Sequence, residues 1–179
     1  MKKEKAERVS IFIDGSNFYH SLKKLNIKEI DFTKLINILV NNRELVDIYY
    51  YNASLDISIN PKRYWEQQKF FDMLRKIQRF KVILCKMRKH KLSDESFYFD
   101  VKGDDVHLTL DMLSGAFKNL YDTAIIVSGD EDFVPLVKYV QDLNKKVENA
   151  FFKATSSNAL KRICNKSISL NEIVSRIRK

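Results

Sequence analysis

Short apolar runs alternate along the chain with segments whose apolar positions recur every three or four residues. Residues 9–13 (VSIFI) predict a strand ending at Asp14, followed by a short helix through Phe18, Leu22 and Leu25. Residues 31–40 predict a helix capped by Asp31, and residues 46–53 (VDIYYYNA) a strand rich in β-formers. Pro61 opens a long helix to about residue 80, at a first-turn position where its missing N–H costs little. Residues 82–85 (VILC) predict the next strand, and residues 86–101 a hairpin with Phe97, Tyr98 and Phe99 in its second arm. From Asp104 the positions Val106, Leu110, Leu113, Phe117 and Leu120 recur at helical spacing and predict a core-facing stripe. A strand at 124–127 (AIIV), a helix at 132–143 and a strand at 147–152 follow. A helix at 157–164 and a short edge strand at 168–170 close the series. Alternating elements with nearly all-apolar strands predict an α/β fold, its parallel sheet covered on both faces. Ligands in such folds sit at the carboxyl ends of the strands, beside a topological switch point.

The 179 residues suit a single domain, with a core over about 8–170 and a basic tail at 171–179. Thirty-two Lys and Arg against 23 Asp and Glu leave a net charge of +9, which points to a polyanionic partner. Cys85 and Cys164 lack metal-binding spacing and form no disulfide framework, so buried free thiols in a reducing cytoplasm are expected. The start, MKKEKAERVSIFID, has an apolar run too short for a signal peptide or a membrane span.

Against that basic background, VSGDEDF (residues 127–133) sets Asp130, Glu131 and Asp132 side by side after an apolar run. Like charges this close raise the cost of ionising one another, so solvent, a helix N-terminus or a divalent cation must compensate. The first strand ends in the same way, with Asp14, Gly15, Ser16 and Asn17. If the two strands are neighbours, both sets reach one carboxyl edge. Three of the four glycines (Gly15, Gly103, Gly129) lie beside acids in such turns. Pro135 fixes the start of a helix near Asp132, leaving Asp130 in the loop. KGDDVHLTLDM (residues 102–112) adds Asp104, Asp105 and Asp111; Asp104 and Asp111 share a helix face, whereas Asp105 and Asp111 lie about 120° apart. Carboxylates with an Asn17 amide form an all-oxygen set that suits Mg²⁺ or Mn²⁺ better than zinc. Such an ion lowers the pKa of bound water and polarises a phosphodiester. His20, His90 and His107 have no spacing that suggests a relay.

IFIDGSNFY (11–19), KGDDVHLTLDM (102–112) and VSGDEDFVPLV (127–137), in this order, resemble the NYN family of PIN-like nucleases, closest to its LabA-like (DUF88) branch. The similarity spans about residues 8–170. It implies a PIN-like three-layer α/β/α sandwich and a metal-dependent acidic site associated with RNA cleavage. By position, Asp14, Asp105, Asp130 and Asp132 match the family's acids, and Asn17 and Ser128 its polar companions. Lys102 and Asp111 match flanking positions, with Asp104 standing where the family usually has a small aliphatic residue. A Gly is common in the family near Asn144, and an Asp near Asn165.

Between Met73 and Ser93 there are eight basic residues and no acid: Arg75, Lys76, Arg79, Lys81, Lys86, Arg88, Lys89 and Lys91. They are the candidate phosphate contacts. Tyr64, Trp65, Phe97 and Tyr98 are candidates for stacking bases, with Trp65 expected in the core as the plain alternative. The leading expectation is a Mg²⁺- or Mn²⁺-dependent ribonuclease in which metal-activated water leaves a 3′-hydroxyl and a 5′-phosphate. RNA is the expected partner, with DNA second and a homodimer through the 86–101 hairpin as a further arrangement. The rival is a non-catalytic RNA-binding or regulatory module with a vestigial acidic site. A phosphomonoesterase of the haloacid-dehalogenase type needs Asp-x-Asp after the first strand, and Gly15-Ser16 follow Asp14 instead.

Overall fold

A computed structural model describes residues 6–91 and 97–179, with the side chains of residues 86–102 outside that description. The chain opens with β1 (Arg8–Asp14), α1 (Gly15–Lys24), α2 (Phe32–Val40) and β2 (Glu44–Ala53). It continues through α3 (Pro61–Arg75), β3 (Phe80–Lys91), β4 (Phe97–Lys102) and α4 (Asp104–Phe117). The last part holds β5 (Thr123–Val127), α5 (Val134–Asp142), β6 (Lys146–Phe151), α6 (Asn158–Ile163), β7 (Lys166–Ser169) and α7 (Leu170–Ile177). The sheet order is β4-β3-β2-β1-β5-β6-β7. Every pairing is parallel except that of β4, which runs antiparallel to the outer half of β3. The chain builds outward from β1 through β2 to β3, then returns to place β5 on the other side of β1. The direction of construction reverses there, and Ile13 pairs with Val127 at that point.

Successive residues of β1 point to opposite faces, and each face has its own core. Val9, Ile11 and Ile13 pack with Phe18 of α1, Leu35 and Leu39 of α2, Phe71 and Leu74 of α3 and Leu170 and Ile177 of α7. Phe12 packs on the other side with Leu108 and Met112 of α4, Val137 and Val140 of α5 and Leu160 of α6. This is the PIN-like α/β/α arrangement, its strands apolar because both faces are covered. Among the described residues no helix is long and apolar enough to cross a membrane.

Four expectations change. The helix from Pro61 stops at Arg75, because Arg79 takes a left-handed φ of 66° and the chain turns into β3 at Phe80. Trp65 is 56% exposed, because α3 buries only Phe71 and Leu74 fully and its first turns carry Trp65 outward. The basic tail expected at residues 171–179 carries most of α7, which packs Leu170, Ile173, Val174 and Ile177 against the core. The stripe on α4 faces outward, with Val106, Leu110, Phe117 and Leu120 all exposed. The buried face is instead Asp104, Leu108, Met112, Gly115 and Ala116. Its small residues let the helix approach Tyr121, whose ring lies 2.8 Å from where a Gly115 Cβ would stand.

Candidate active site

The β1 exit turns sharply into α1. A side chain at Gly15 would meet the Tyr51 carbonyl at 2.5 Å, so only glycine fits. Asp14 caps α1: its Oδ1 accepts the Asn17 N–H at 2.9 Å, and its Oδ2 accepts the Ser128 hydroxyl at 2.8 Å. Ser128 follows β5 directly, so adjacent strand ends supply both partners. The Ser128 Oγ in turn accepts the Asp130 N–H at 3.1 Å, and Asp130 Oδ1 accepts the Asp132 N–H at 3.0 Å. Asp130 thereby caps the 3-10 turn Glu131–Phe133, and Asp132 lies within that turn.

A second layer holds these loops together. The Asn17 amide oxygen accepts the Gly129 N–H and the Thr155 hydroxyl, both at 3.1 Å. With its oxygen committed to the scaffold, Asn17 has only its NH₂ to offer a phosphate. At Gly129 an added Cβ would lie 2.0 Å from the Thr155 carbonyl, a backbone contact that cannot yield. Asn149 on β6, fully buried, donates to the carbonyls of Ser128 at 2.8 Å and Ile126 at 3.3 Å.

The third acidic segment arrives at the start of α4. Gly103 adopts a φ of 99° and swings the chain out of β4. Asp104 then faces inward, 9% exposed, and its Oδ2 accepts the Ser16 hydroxyl at 3.0 Å. Asp105 lies on the exposed side. The acid that departs from the family pattern is therefore the one that bonds to the β1 exit. Asp111, two turns further along α4, accepts the Tyr51 hydroxyl at 3.0 Å.

Burial raises the Asp14 carboxyl to about 6, with Asp104 and Asp130 adding to the rise and the Asn17 and Ser128 bonds opposing it. Asp105 also rises to about 6, through partial dehydration and then the charges of Asp104, Asp14, Asp130 and Asp132. Five carboxylates from three chain segments thus form one electrostatic group. Among the described residues none of the five takes part in an ion pair.

Among the described residues no three His, Cys, Asp or Glu side chains form a ready-made metal cage. The donor chemistry nonetheless fits a hard divalent cation. Magnesium keeps several waters and uses one or two carboxylates plus substrate phosphate rather than an all-protein cage. Asp14, Asp104, Asp105, Asp130 and Asp132 provide that oxygen set, and its uncompensated repulsion is what a cation relieves.

The expected phosphate contacts divide. Arg75 pairs with Asp72 at 2.9 Å, and the Arg79 guanidinium bonds the Leu45 and Val46 carbonyls where β2 begins. With Lys76 they occupy the amino edge of the sheet, opposite the acids, because α3 runs back against the strands. The side chains of Lys86, Arg88, Lys89, Lys91 and Lys102, with Phe97 and Tyr98, lie outside the described residues, as does that of His90. Sequence reasoning missed a set of lysines around the loop that meets Gly129. Lys24 reaches the Ala154 carbonyl at 3.5 Å, Lys161 reaches Ser156 at 3.4 Å, and Lys153 is exposed at the start of the same loop. These lysines are scattered in sequence, so no charge run signals them. Exposed Tyr19 and His20, in edge-to-face contact at 5.8 Å, lie on the same helix as Lys24.

The profile of the NYN domain matches residues 8–171. The chain is 27% identical over 176 residues to the low amplitude and bright protein LabA of Synechococcus elongatus, covering 96% of this chain and 88% of that protein. A crystal structure of a protein of unknown function from Vibrio parahaemolyticus superposes with a TM-score of 0.73. Its identity is 27%, with 95% of this chain and 96% of that one covered.

Proposed function

The chain belongs to the NYN domain family, whose members are generally nucleases, and from that premise we propose that it is a Mg²⁺- or Mn²⁺-dependent ribonuclease. The observation that carries the proposal is the convergence of Asp14, Asp104, Asp105, Asp130 and Asp132 at the switch point. Two of the five carboxyls are raised to about 6 by burial and mutual charge. Asp14, Asp105, Asp130 and Asp132 would hold the cation, with Asp104 beside them through Ser16. Such an ion, when bound, would supply an activated water and would polarise the scissile phosphate. The protein's own part is positional. Ser128 fixes the Asp14 carboxylate by donating to it, and the NH₂ of Asn17, whose oxygen is committed to Gly129 and Thr155, would donate to a phosphate oxygen. The Asp130 cap sets the 3-10 turn that carries Asp132.

RNA is the proposed substrate, because family members bind nucleic acids and the net charge of +9 favours a polyanion. Exposed Trp65, with Tyr64 edge-on at 5.2 Å, lies beyond the carboxyl end of β2 and is suited to stacking an unpaired base. The test is cleavage of labelled RNA and DNA with Mn²⁺ or Mg²⁺, wild type beside Asp14→Asn and Asp130→Asn. Loss of cleavage in both variants, with unchanged circular dichroism, is expected. Unchanged cleavage in both would rule the nuclease out. RNA binding indifferent to EDTA, without cleavage at any Mn²⁺ concentration, would instead establish the non-catalytic module.

A further inference from the structure

The outward stripe of α4 has an unusual character for a surface helix. Phe117 is 80% exposed, Val106 60%, Leu110 58% and Leu120 44%, and Tyr139 of α5 beside them is 64% exposed. Leu110, Leu113, Ser114, Phe117, Tyr139 and Leu143, with Asp142, line an open groove of about 470 Å³ between the two helices.

We propose that this face is a two-fold interface between copies of the chain, with the α4 helices packed antiparallel. The first support is area. From the exposures above, the face offers about 500 Å² of apolar surface per copy, taking about 200 Å² for a whole aromatic side chain and about 100 Å² for an aliphatic one. A standard interface buries about 800 Å² per partner, about 60% of it apolar, which is the same quantity. The second is self-complementarity, which a two-fold interface demands. Reversing α4 about a point between Leu113 and Ser114 sets Leu110 opposite Phe117 of the other copy, with Val106 reaching past that helix end towards Leu120, which follows the turn at Asn119. Each apolar residue then meets another, and each Phe117 ring approaches the groove of its neighbour.

The face begins at Val106, one residue after Asp105, so pairing would also hold the start of α4 on the acidic edge. Sedimentation equilibrium of the full chain from about 1 to about 100 μM, the weak end of what such areas achieve, tests the proposal. Wild type should move from 21.1 kDa to twice that mass, and Phe117→Glu should stay at 21.1 kDa. Phe117 is on the surface, so an unchanged thermal melt is expected to show that the variant folds. Ser114→Cys, near the two-fold axis, should form a disulfide-linked dimer under mild oxidation. A wild type that stays at 21.1 kDa throughout overturns the proposal, whether another ligand or nothing occupies the face. Pairing unaffected by Phe117→Glu, as association through the hairpin would give, overturns it as well.

Discussion

Asp14 is the residue on which stability and chemistry pull apart. It is 5% exposed, and its carboxyl is raised from the ordinary 3.8 to about 6. A carboxyl whose pKa is higher in the folded state favours folding while protonated. Ionised, it costs stability, and the cost develops as the pH rises from about 4 through 6. The rise from 3.8 to about 6 corresponds to about 3 kcal/mol at full ionisation. Asn keeps an oxygen for the Asn17 N–H and an NH₂ for the Ser128 hydroxyl, without the charge. Asp14→Asn should therefore be about 1–3 kcal/mol more stable than wild type at pH 7.5 in EDTA, measured by urea unfolding. The difference should vanish towards pH 4. An equal difference at both pH values would show that buried charge is not the cause. Asp104 teaches a related lesson at this scale. Its position in the sequence made it the surplus acid, but Ser16 turns it inward and leaves Asp105 facing water.

Among the elements, α4 was the one whose orientation the sequence concealed. Both of its sides are apolar, and periodicity alone cannot choose between Val106-Leu110-Phe117 and Leu108-Met112-Ala116. The choice follows from a tertiary contact, since an inward Asp104 carries Leu108 and Met112 inward one and two turns later. Leu108→Ala should cost about 2–5 kcal/mol in urea unfolding, whereas Leu110→Ala should cost under about 1. Equal costs would restore the sequence-based stripe. The β1 and β5 exits were legible because each is an apolar run broken abruptly by acid and glycine, a pattern with few structural explanations. Asn144 was legible in part: a family glycine position is filled here by an asparagine at φ 58°. The Arg75–Arg79 segment misled for a physical reason. Nearness in sequence to the basic hairpin does not say which sheet edge a residue occupies, and α3 delivers its last turn to the amino edge. The loop bearing Thr155 left no signal at all, because its role is to meet Gly129 from a distant part of the chain.

For the whole molecule, charge is divided between the two edges of the sheet. At the amino edge arginines are neutralised in place, Arg8 by Asp122 at 2.7 Å and Arg43 by Glu148 at 2.9 Å. At the carboxyl edge the five acids have no basic partner among the described residues, and Lys24, Lys153 and Lys161 flank the loop beside them. Nucleic acid crossing the acids should meet these lysines and should bypass Arg75 and Arg79. Lys153→Glu with Lys161→Glu should weaken RNA binding and lower the slope of log affinity against log salt by about 1.4, for two phosphate contacts on a single strand. Arg75→Glu should leave that slope unchanged, and fluorescence anisotropy across a salt series reads both. An effect of Arg75→Glu alone would move the binding path to the opposite edge. The bonds that assemble the acidic edge join residues 88, 114 and 138 positions apart, for Ser16 with Asp104, Asp14 with Ser128 and Asn17 with Thr155. On the ribosome, Asp14 emerges long before its partners exist, and a half-made polypeptide has nothing to place beside it. An enzyme that cuts RNA would thus stay without its assembled site until the segment bearing Thr155 has been made.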